Sequence, residues 1–192
     1  MHCNPRSLFP ASQTSNRRRQ TRMHADATVF DGLKKDESYE QLIDSLSGLL
    51  VDNWVANLAN AASLLWYHFH SQPRPQSAVN WAGFYLMDKN KSKLVLGPFQ
   101  GKVACQEIQL GRGVCGAAAS EKKIQVVRDV HAFPDHIACD GDTNSEIVVP
   151  ILSNDECLGV IDIDCTDLHG FDETDMMYLE NIAEILAPSL PK

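Results

Sequence analysis

Both fold and chemistry are indicated by three neighbouring segments: Gly97-Pro-Phe-Gln-Gly-Lys-Val-Ala-Cys105, Gly111-Arg-Gly-Val-Cys115-Gly116 and His136-Ile-Ala-Cys139-Asp-Gly-Asp-Thr-Asn-Ser-Glu146. They concentrate three cysteines, turn-forming residues and a carboxylate. The cysteines stand 10 and 24 residues apart, whereas zinc knuckles take pairs of thiolates from positions two to four apart. We therefore expect no metal. Three thiols in loops can instead do redox chemistry, in which one attacks as the thiolate and another closes a disulfide onto it.

The composition is that of one globular domain with extensions. The 192 residues are 44% hydrophobic, enough for a single core. No apolar run reaches the roughly 18 residues that cross a bilayer, so we expect no membrane insertion. Six cysteines without close pairing, in a chain of this size, fit a reducing compartment. We expect reduced resting thiols and a cytoplasmic location.

Charge is unevenly distributed along the chain. The net charge is −8, yet residues 1–25 hold five arginines and no acid, which leaves 12 basic against 25 acidic residues in the remainder. An acidic body repels phosphate backbones, and the cluster Arg17-Arg18-Arg19 is too short to reverse this. We therefore expect no nucleic-acid partner.

The first 30 residues contain few large apolar side chains and cannot bury enough surface to order a segment. We predict a disordered extension over residues 1–30. An arginine-rich, acid-free start also matches a mitochondrial transit peptide, but it lacks an amphipathic stripe, and Met23 is an alternative start that would leave residues 1–22 out of the product. Disorder without targeting is the interpretation we favour.

Helices are predicted at both ends of the remaining chain. Residues 36–69 carry apolar side chains at steps of three and four, the period of amphipathic helices, with a break near Gly48. His68 and His70 diverge on such a helix, so we expect packing or surface roles and not metal ligation. Phe171-Asp-Glu-Thr-Asp175 begins the last helix, which ends before Pro188.

Two hairpins are predicted between these helices. The first pairs the strand 81–87 with 93–96, and its alternation places Trp81 and Tyr85 on one face, free to line a pocket. Burial of both faces explains either aromatic residue equally well. The second hairpin joins strands 146–152 and 156–164. Its last strand sets Asp162 and Asp164 on one face, which alone favours an exposed acidic surface, and the other face holds the residues Cys157, Ile161, Ile163 and Cys165, expected in the core.

Two features between the hairpins carry reactive side chains. Cys115 falls in the first turn of a short helix of small residues, where backbone N–H groups would lower its pKa; as a small buried hydrophobe it is equally well explained. The loop from Arg128 to Ser145 is long enough to suggest a function. It holds His131, His136 and Cys139, so a Cys/His nucleophile pair as in hydrolases is conceivable. No Asn or Asp that would orient a histidine is identifiable, which favours surface roles for both histidines.

Together the elements predict an α+β domain with a central antiparallel sheet flanked by N- and C-terminal helices. This order is similar to a GAF domain. The likeness is sharpest in a set of short motifs: Trp81-Ala-Gly-Phe-Tyr, Leu96-Gly-Pro-Phe-Gln-Gly, Ala104-Cys105, Gly111-Arg-Gly-Val-Cys115-Gly, Phe133-Pro-Asp-His-Ile-Ala-Cys139-Asp and Gly159-Val-Ile-Asp162-Ile-Asp164. Over residues 36–187 the chain resembles the free methionine-(R)-sulfoxide reductases.

The resemblance implies reduction of free L-methionine-(R)-sulfoxide to L-methionine. It assigns attack on the substrate sulfur to Cys139, which becomes a sulfenic acid, disulfide formation to Cys105 and an auxiliary role to Cys115. Thioredoxin or a similar dithiol protein, with no bound cofactor, would reset the enzyme. The resemblance also assigns Glu146, Asp162 and Asp164 to the substrate, which reverses the interpretation of the acidic face. Trp81 and Tyr85 would then offer the substrate methyl group an apolar wall.

Clustered carboxylates suit this chemistry. A sulfoxide sulfur becomes a good target only as its oxygen is protonated, and crowding raises the pKa of one carboxyl while an ionised neighbour holds the α-ammonium group. The same negative charge opposes a thiolate at Cys139. The fold also allows a different class of function, a ligand-sensing GAF module without catalysis. The sequence leaves open which carboxyl is the acid, what Cys115 does, which reductant serves and whether the chain is a homodimer.

Overall fold

The computed structural model describes residues 30–135 and 140–191. The predicted extension over residues 1–30 falls almost wholly outside these ranges, and His136 and Cys139 fall in the gap between them. No helix within the two ranges is long and apolar enough to cross a membrane.

The described chain folds around one six-stranded antiparallel sheet, which confirms the predicted α+β class. Its strands lie in the order β3-β2-β1-β6-β5-β4, so that the two hairpins meet at the centre, where β1 pairs with β6. The elements are α1 (Lys35–Leu49), α2 (Trp54–Ser71), β1 (Val79–Met87), β2 (Lys93–Gly101), β3 (Glu107–Gln109), α3 (Gly113–Glu121), β4 (Gln125–Val127), β5 (Ser145–Ser153), β6 (Glu156–Cys165) and α4 (Glu173–Leu186).

Helices cover the two faces of the sheet unequally. The longer helices α1, α2 and α4 share one apolar core with the face of β1 that carries Ala82 and Phe84. The short helix α3 packs on the opposite face, where Trp81 and Tyr85 lie. The predicted alternation along β1 is therefore confirmed. One face is closed by a large helical layer, and the other is left to a small helix and loops.

Local hydrogen bonds explain where the helices begin. Asn53 precedes α2, and its side chain accepts a hydrogen bond from Ala56 N at 3.1 Å. Asp172 precedes α4 and accepts from Thr174 N at 2.9 Å, while the Asp175 carboxylate accepts from Asp172 N at 2.9 Å. Such reciprocal caps satisfy N–H groups that have no partner within the helix. The helix start predicted from the acidic segment after Phe171 is confirmed.

A polar network lies buried between α1, α2 and α4. Lys35 Nζ lies 2.7 Å from Asp175 Oδ2, and Tyr39 donates from its hydroxyl to Asp175 Oδ1 at 2.8 Å. Beside it, His68 Nδ1 is 2.7 Å from Ser38 Oγ, and its ring packs against Tyr39 with a centroid distance of 3.9 Å. His68 is fully buried and His70 is exposed, so the packing and surface roles predicted for them are confirmed.

This network makes a prediction about stability. Burial and the Lys35 charge lower the pKa of His68 from 6.5 to about 3. Below pH 6.5 the unfolded chain therefore binds a proton that the native protein excludes, and stability is lost as the pH falls toward 3. We expect His68 to contribute about 1.4 kcal/mol per pH unit to the slope of the free energy of unfolding against pH in this range. Urea titrations at several pH values measure this free energy, and its dependence on pH should be weaker in His68→Asn.

The exposed His70 supplies the matched control, because His70→Asn changes the same residue type on the same helix. It should keep the pH dependence of the unmodified protein. Equal slopes for His68→Asn and His70→Asn would contradict the assignment.

One feature of the second hairpin was predicted wrongly. The pairing of β5 with β6 shifts between Ile151 and Leu152, so that Ile151 lies opposite Gly159 and Leu152 opposite Cys157. β6 therefore has one residue more than β5 at this point. This β-bulge reverses the alternation locally. Cys157 is buried as expected, but in the core beneath α3. Cys165 does lie in the helical core, as predicted.

Candidate active site

Strand register gathers the acidic side chains at the centre of the sheet. Asp164 lies opposite Trp81 on β1 and opposite Glu146 on β5. Asp162, two residues earlier on the same face, lies opposite Gly83 and Val148. Cβ atoms of directly opposite residues are about 4.5–5.5 Å apart. Pairing of three strands is therefore enough to bring the carboxyl groups together beside an indole ring.

These carboxyl groups are hidden from solvent. Glu146 and Asp162 are each 6% exposed, and Asp164 is partly buried. The exposed acidic face that alternation alone favoured is therefore wrong. Residues far away in sequence, on α3 and on the loop after Asp140, cover the face and turn it into a pocket lined by Ile108, Arg112, Gly113, Val114, Cys115, Asp140, Thr143, Glu146, Asp162 and Asp164.

Burial and mutual repulsion keep protons on this cluster. Desolvation raises the pKa of Glu146, and the Asp164 charge raises it further. Desolvation also raises the pKa of Asp162, with Glu146 as the next cause. The pKa of Asp164 is raised by burial, then by Asp162 and Asp140. Like charges in a low-dielectric site cannot all ionise, so the pocket offers both protonated and ionised carboxyls.

Cys115 lies against the same cluster. Its Sγ donates toward Glu146 Oε1 at 4.0 Å, and the side chain is buried. Burial, and then the charges of Asp162 and Glu146, raise the pKa of the thiol well above its usual value. The lowered pKa considered for the first turn of α3 is therefore wrong, because burial of the thiol, and after it the neighbouring carboxyls, outweigh the backbone N–H groups. The buried position expected of Cys115 is confirmed, and its auxiliary role stays a prediction.

Aromatic rings form a wall beside the carboxyl groups. Trp81 stacks on Phe99 with a centroid distance of 5.1 Å and on Tyr85 at 5.8 Å. A Cβ added at Gly83 would collide with Phe99, so glycine at this position allows the rings to stack. A small cavity joins Trp81 and Tyr85 to Asp162 and Asp164. The structure thus brings both predicted aromatic residues to the predicted carboxyls.

The same rings hold the segment that carries Cys105. The Tyr85 hydroxyl donates to the carbonyl of Cys105 at 3.0 Å, and Trp81 Nε1 donates to the carbonyl of Lys102 at 3.1 Å. Because both bonds end on backbone oxygens, they fix the path of the chain before Cys105. The predicted disulfide-forming cysteine therefore lies next to the predicted aromatic wall.

The described cysteines differ in redox state. Cys105 is disulfide-bonded, whereas Cys115, Cys157 and Cys165 are free thiols. Reduced resting thiols were expected from the composition, so the structure shows an oxidised form on this point. Cys139, the predicted nucleophile, lies outside the described residues.

Two polar residues missed by sequence reasoning connect the loops of the site. Lys102 Nζ lies 2.6 Å from Asp142 Oδ2 and 3.3 Å from Asp140 Oδ1. Asn80 Nδ2 donates to Asp140 Oδ2 at 3.0 Å and to Thr143 Oγ1 at 3.2 Å. The Lys102 bonds join the segment before Cys105 to the segment that begins at Asp140, and the Asn80 bonds join β1 to that same segment. Their partners stand about 40 to 60 positions apart in the sequence, so no local pattern reveals them.

His131 has a partner that sequence reasoning could not identify. Its Nε2 lies 2.9 Å from Asn144 Oδ1, and the side chain is exposed. An asparagine thus orients His131, while the surface position agrees with the role favoured for it. The hydrolase-like pair would need Cys139 or His136, which lie outside the described residues.

The chain is similar to known proteins of one family. The family model of the GAF domain matches residues 76–190, so the chain is a GAF-domain protein. It is 53% identical to the free methionine-R-sulfoxide reductase of Saccharomyces cerevisiae, over 86% of this chain and 93% of the relative. It is 41% identical to the enzyme of that name from Escherichia coli, over 78% and 87%.

Among solved structures, the free methionine-R-sulfoxide reductase of Neisseria meningitidis in complex with its substrate superposes with a TM-score of 0.72. It is 44% identical, over 81% of this chain and 87% of that one. The chain belongs to the free methionine-R-sulfoxide reductase family.

Proposed function

We propose that this protein reduces free L-methionine-(R)-sulfoxide to L-methionine. The observation that carries the proposal is the buried cluster of Glu146, Asp162 and Asp164 beside an aromatic wall and a disulfide-bonded Cys105. A site for an uncharged ligand has no need of three crowded carboxyls, since their burial costs free energy. A zwitterionic amino acid whose sulfoxide oxygen accepts a proton uses both the negative charge and the retained proton.

Asp164 is suited to hold the α-ammonium group of the substrate. It is the least buried of the three carboxyls, so it ionises at the lowest desolvation cost. Asp162 is suited to deliver the proton, because it is more deeply buried and its pKa is raised by desolvation and by Glu146. Trp81 and Tyr85 supply apolar surface for the methyl group. A methionine within a polypeptide has no free ammonium group, which accounts for selection of the free amino acid.

The redox steps balance with two thiols and one external dithiol. The Cys139 thiolate attacks the sulfoxide sulfur while the oxygen takes a proton, and oxygen transfer releases methionine and leaves a sulfenic acid. The Cys105 thiol then attacks that sulfenic acid, which forms the disulfide and expels water. Cys115, Cys157 and Cys165 are free thiols, which leaves Cys3 and Cys139 as partners for Cys105. Cys139 directly precedes Asp140, which lines the pocket, and this supports Cys139.

Thioredoxin or a related dithiol protein then reduces the disulfide by thiol exchange, and no bound cofactor is required. We place the reaction in the cytoplasm, where such reductants operate. All groups in the scheme come from one chain, so it applies to a monomer and to a homodimer alike.

Substrate preference tests the proposal. With thioredoxin, its reductase and NADPH, free methionine sulfoxide should support steady oxidation of NADPH, because its ammonium group pairs with an ionised carboxyl. N-acetylated and peptide-bound sulfoxides should react at least about tenfold more slowly, the loss expected for one charge-assisted hydrogen bond. Turnover of the peptide form with none of the free form would show the assignment to be wrong.

A ligand-sensing module is the competing function, and thiol counting separates the two. Amino acids or cyclic nucleotides that bound tightly to the reduced protein without consuming thiols would favour sensing. For the reductase, each equivalent of sulfoxide should consume two thiols and release one methionine.

A further inference from the structure

The base of the pocket combines a thiol with two carboxyl groups in the geometry of a cation site. Cys115, Glu146 and Asp162 place one sulfur and two oxygen atoms within 4.8 Å of one another, and all three residues are buried. They come from α3, β5 and β6, so no sequence spacing reveals the set. Any cation held there would be shielded from solvent on all sides but the pocket mouth.

A second observation at the same place is an oxygen atom of Asp162 that lacks a partner in the described part of the chain. Asp162 is 6% exposed, and its Oδ1 is buried without a hydrogen-bond partner among residues 30–135 and 140–191. A buried carboxylate oxygen without a hydrogen-bond donor is costly. Asp162 lines the pocket together with Cys115 and Glu146, so a cation placed between these side chains would satisfy the oxygen.

We propose that Cys115, Glu146 and Asp162 bind a thiophilic divalent cation of the zinc class. Zinc takes thiolate and carboxylate ligands tetrahedrally at about 2.3 Å and 2.0–2.2 Å, which requires a sulfur-to-oxygen separation of roughly 3.5 Å. Cys115 Sγ and Glu146 Oε1 are 4.0 Å apart, so a contraction of about half an ångström forms the site. Three protein ligands and one water complete the coordination.

The ligand set selects against the common hard cations. Calcium and magnesium take six or more oxygen ligands, whereas the three side chains of the proposed site offer one sulfur atom and two carboxyl groups. Softer cations prefer the thiolate. Glu146 and Asp162 also belong to the proposed substrate pocket. If the proposed function holds, the cation and free methionine therefore exclude each other.

Cadmium is the probe, because its thiolate complexes absorb in the ultraviolet. The full chain in its disulfide form is titrated with Cd²⁺, so that Cys105 cannot ligate. We expect a thiolate-to-cadmium absorption band that saturates at one equivalent per chain and is displaced by Zn²⁺. The band should persist in Cys157→Ser and Cys165→Ser, which replace the other two free thiols of the described residues, and in Cys3→Ser near the start of the chain, and it should disappear in Cys115→Ser.

Cys115→Ser could lose the band because it fails to fold, so variants that retain the Cys115 thiol are also needed. Asp162→Asn and Glu146→Gln should each lower the affinity for Cd²⁺ by at least about tenfold, since even loss of a group that only supports a metal ligand costs ten- to a hundredfold. Glu156→Gln, an exposed acid on β6, should change nothing. A band that survived Cys115→Ser, or unchanged affinity in both amide variants, would overturn the site.

Competition with free methionine separates this proposal from the proposed function. Methionine should weaken Cd²⁺ binding if the two ligands share carboxyls. A normal cadmium band that methionine left unchanged would place the amino acid elsewhere and leave the cation site standing.

Discussion

Cys139→Ser is expected to abolish turnover of free methionine sulfoxide completely. A serine hydroxyl is a far weaker nucleophile than a thiolate, and it cannot accept the oxygen atom and later form a disulfide. Cys105→Ser should behave differently, because the first step leaves Cys105 unused. That variant should release one equivalent of methionine per chain and then stall with thioredoxin. A single-turnover assay of methionine release distinguishes the two.

The three free cysteines of the described residues serve as controls for this prediction. Cys157→Ser and Cys165→Ser should keep both steps, since these free thiols lie in the two cores. Cys115→Ser should still release a full equivalent, because burial and the neighbouring acids raise the pKa of that thiol and oppose the thiolate. A Cys139→Ser protein that released a full equivalent would transfer the nucleophilic role to another cysteine.

Removal of single charges from the pocket should have the next largest effect. Asp162→Asn, Asp164→Asn and Glu146→Gln keep the shape of the side chain and remove its acid. Loss of one charge-assisted hydrogen bond costs about 1.5–3 kcal/mol, or ten- to a hundredfold in kcat/KM. Steady-state kinetics with free and N-acetylated methionine sulfoxide would measure it. Glu156→Gln, exposed at the start of β6, is the matched control.

The division of roles predicts how each constant changes. Asp164→Asn should mainly raise KM and weaken the preference for free over acetylated substrate, because it removes the ammonium partner. Asp162→Asn should mainly lower kcat and flatten the loss of activity that the unmodified protein shows as rising pH removes the proton of the acid. Wild-type rates and unchanged preference in all three variants would mean that the carboxyl pocket is not the substrate site.

Periodicity along single strands was the most reliable guide to the fold. Alternation placed Trp81 and Tyr85 on the face away from the helical core, and the structure confirms it. Alternation could not tell what covers a face, because cover comes from residues distant in sequence. For that reason alternation on β6 predicted a solvent-exposed face for the aspartates, whereas α3 and a loop cover that face. For these aspartates, only the family resemblance pointed to a pocket.

Other failures have equally local causes. The bulge opposite Leu152 turned Cys157 to the unexpected core, because one extra residue reverses the period of two. The pKa of Cys115 depends on Glu146 and Asp162, which stand 31 and 47 positions away and act only in the folded chain. The ion pairs of Lys102 with Asp140 and Asp142 escaped notice in the same way.

The register that assembles the pocket also has a consequence for folding. Glu146 and Asp164 lie opposite each other on β5 and β6, with apolar Ile147 and Ile163 on the reverse side. A slip of one residue would exchange the faces and press the carboxyls against the helical core. Ionised groups trapped there without partners are strongly unfavourable. The side chains assigned to the substrate therefore also penalise misfolded sheets, so their loss should widen the range of misregistered and aggregating states even where the native fold survives.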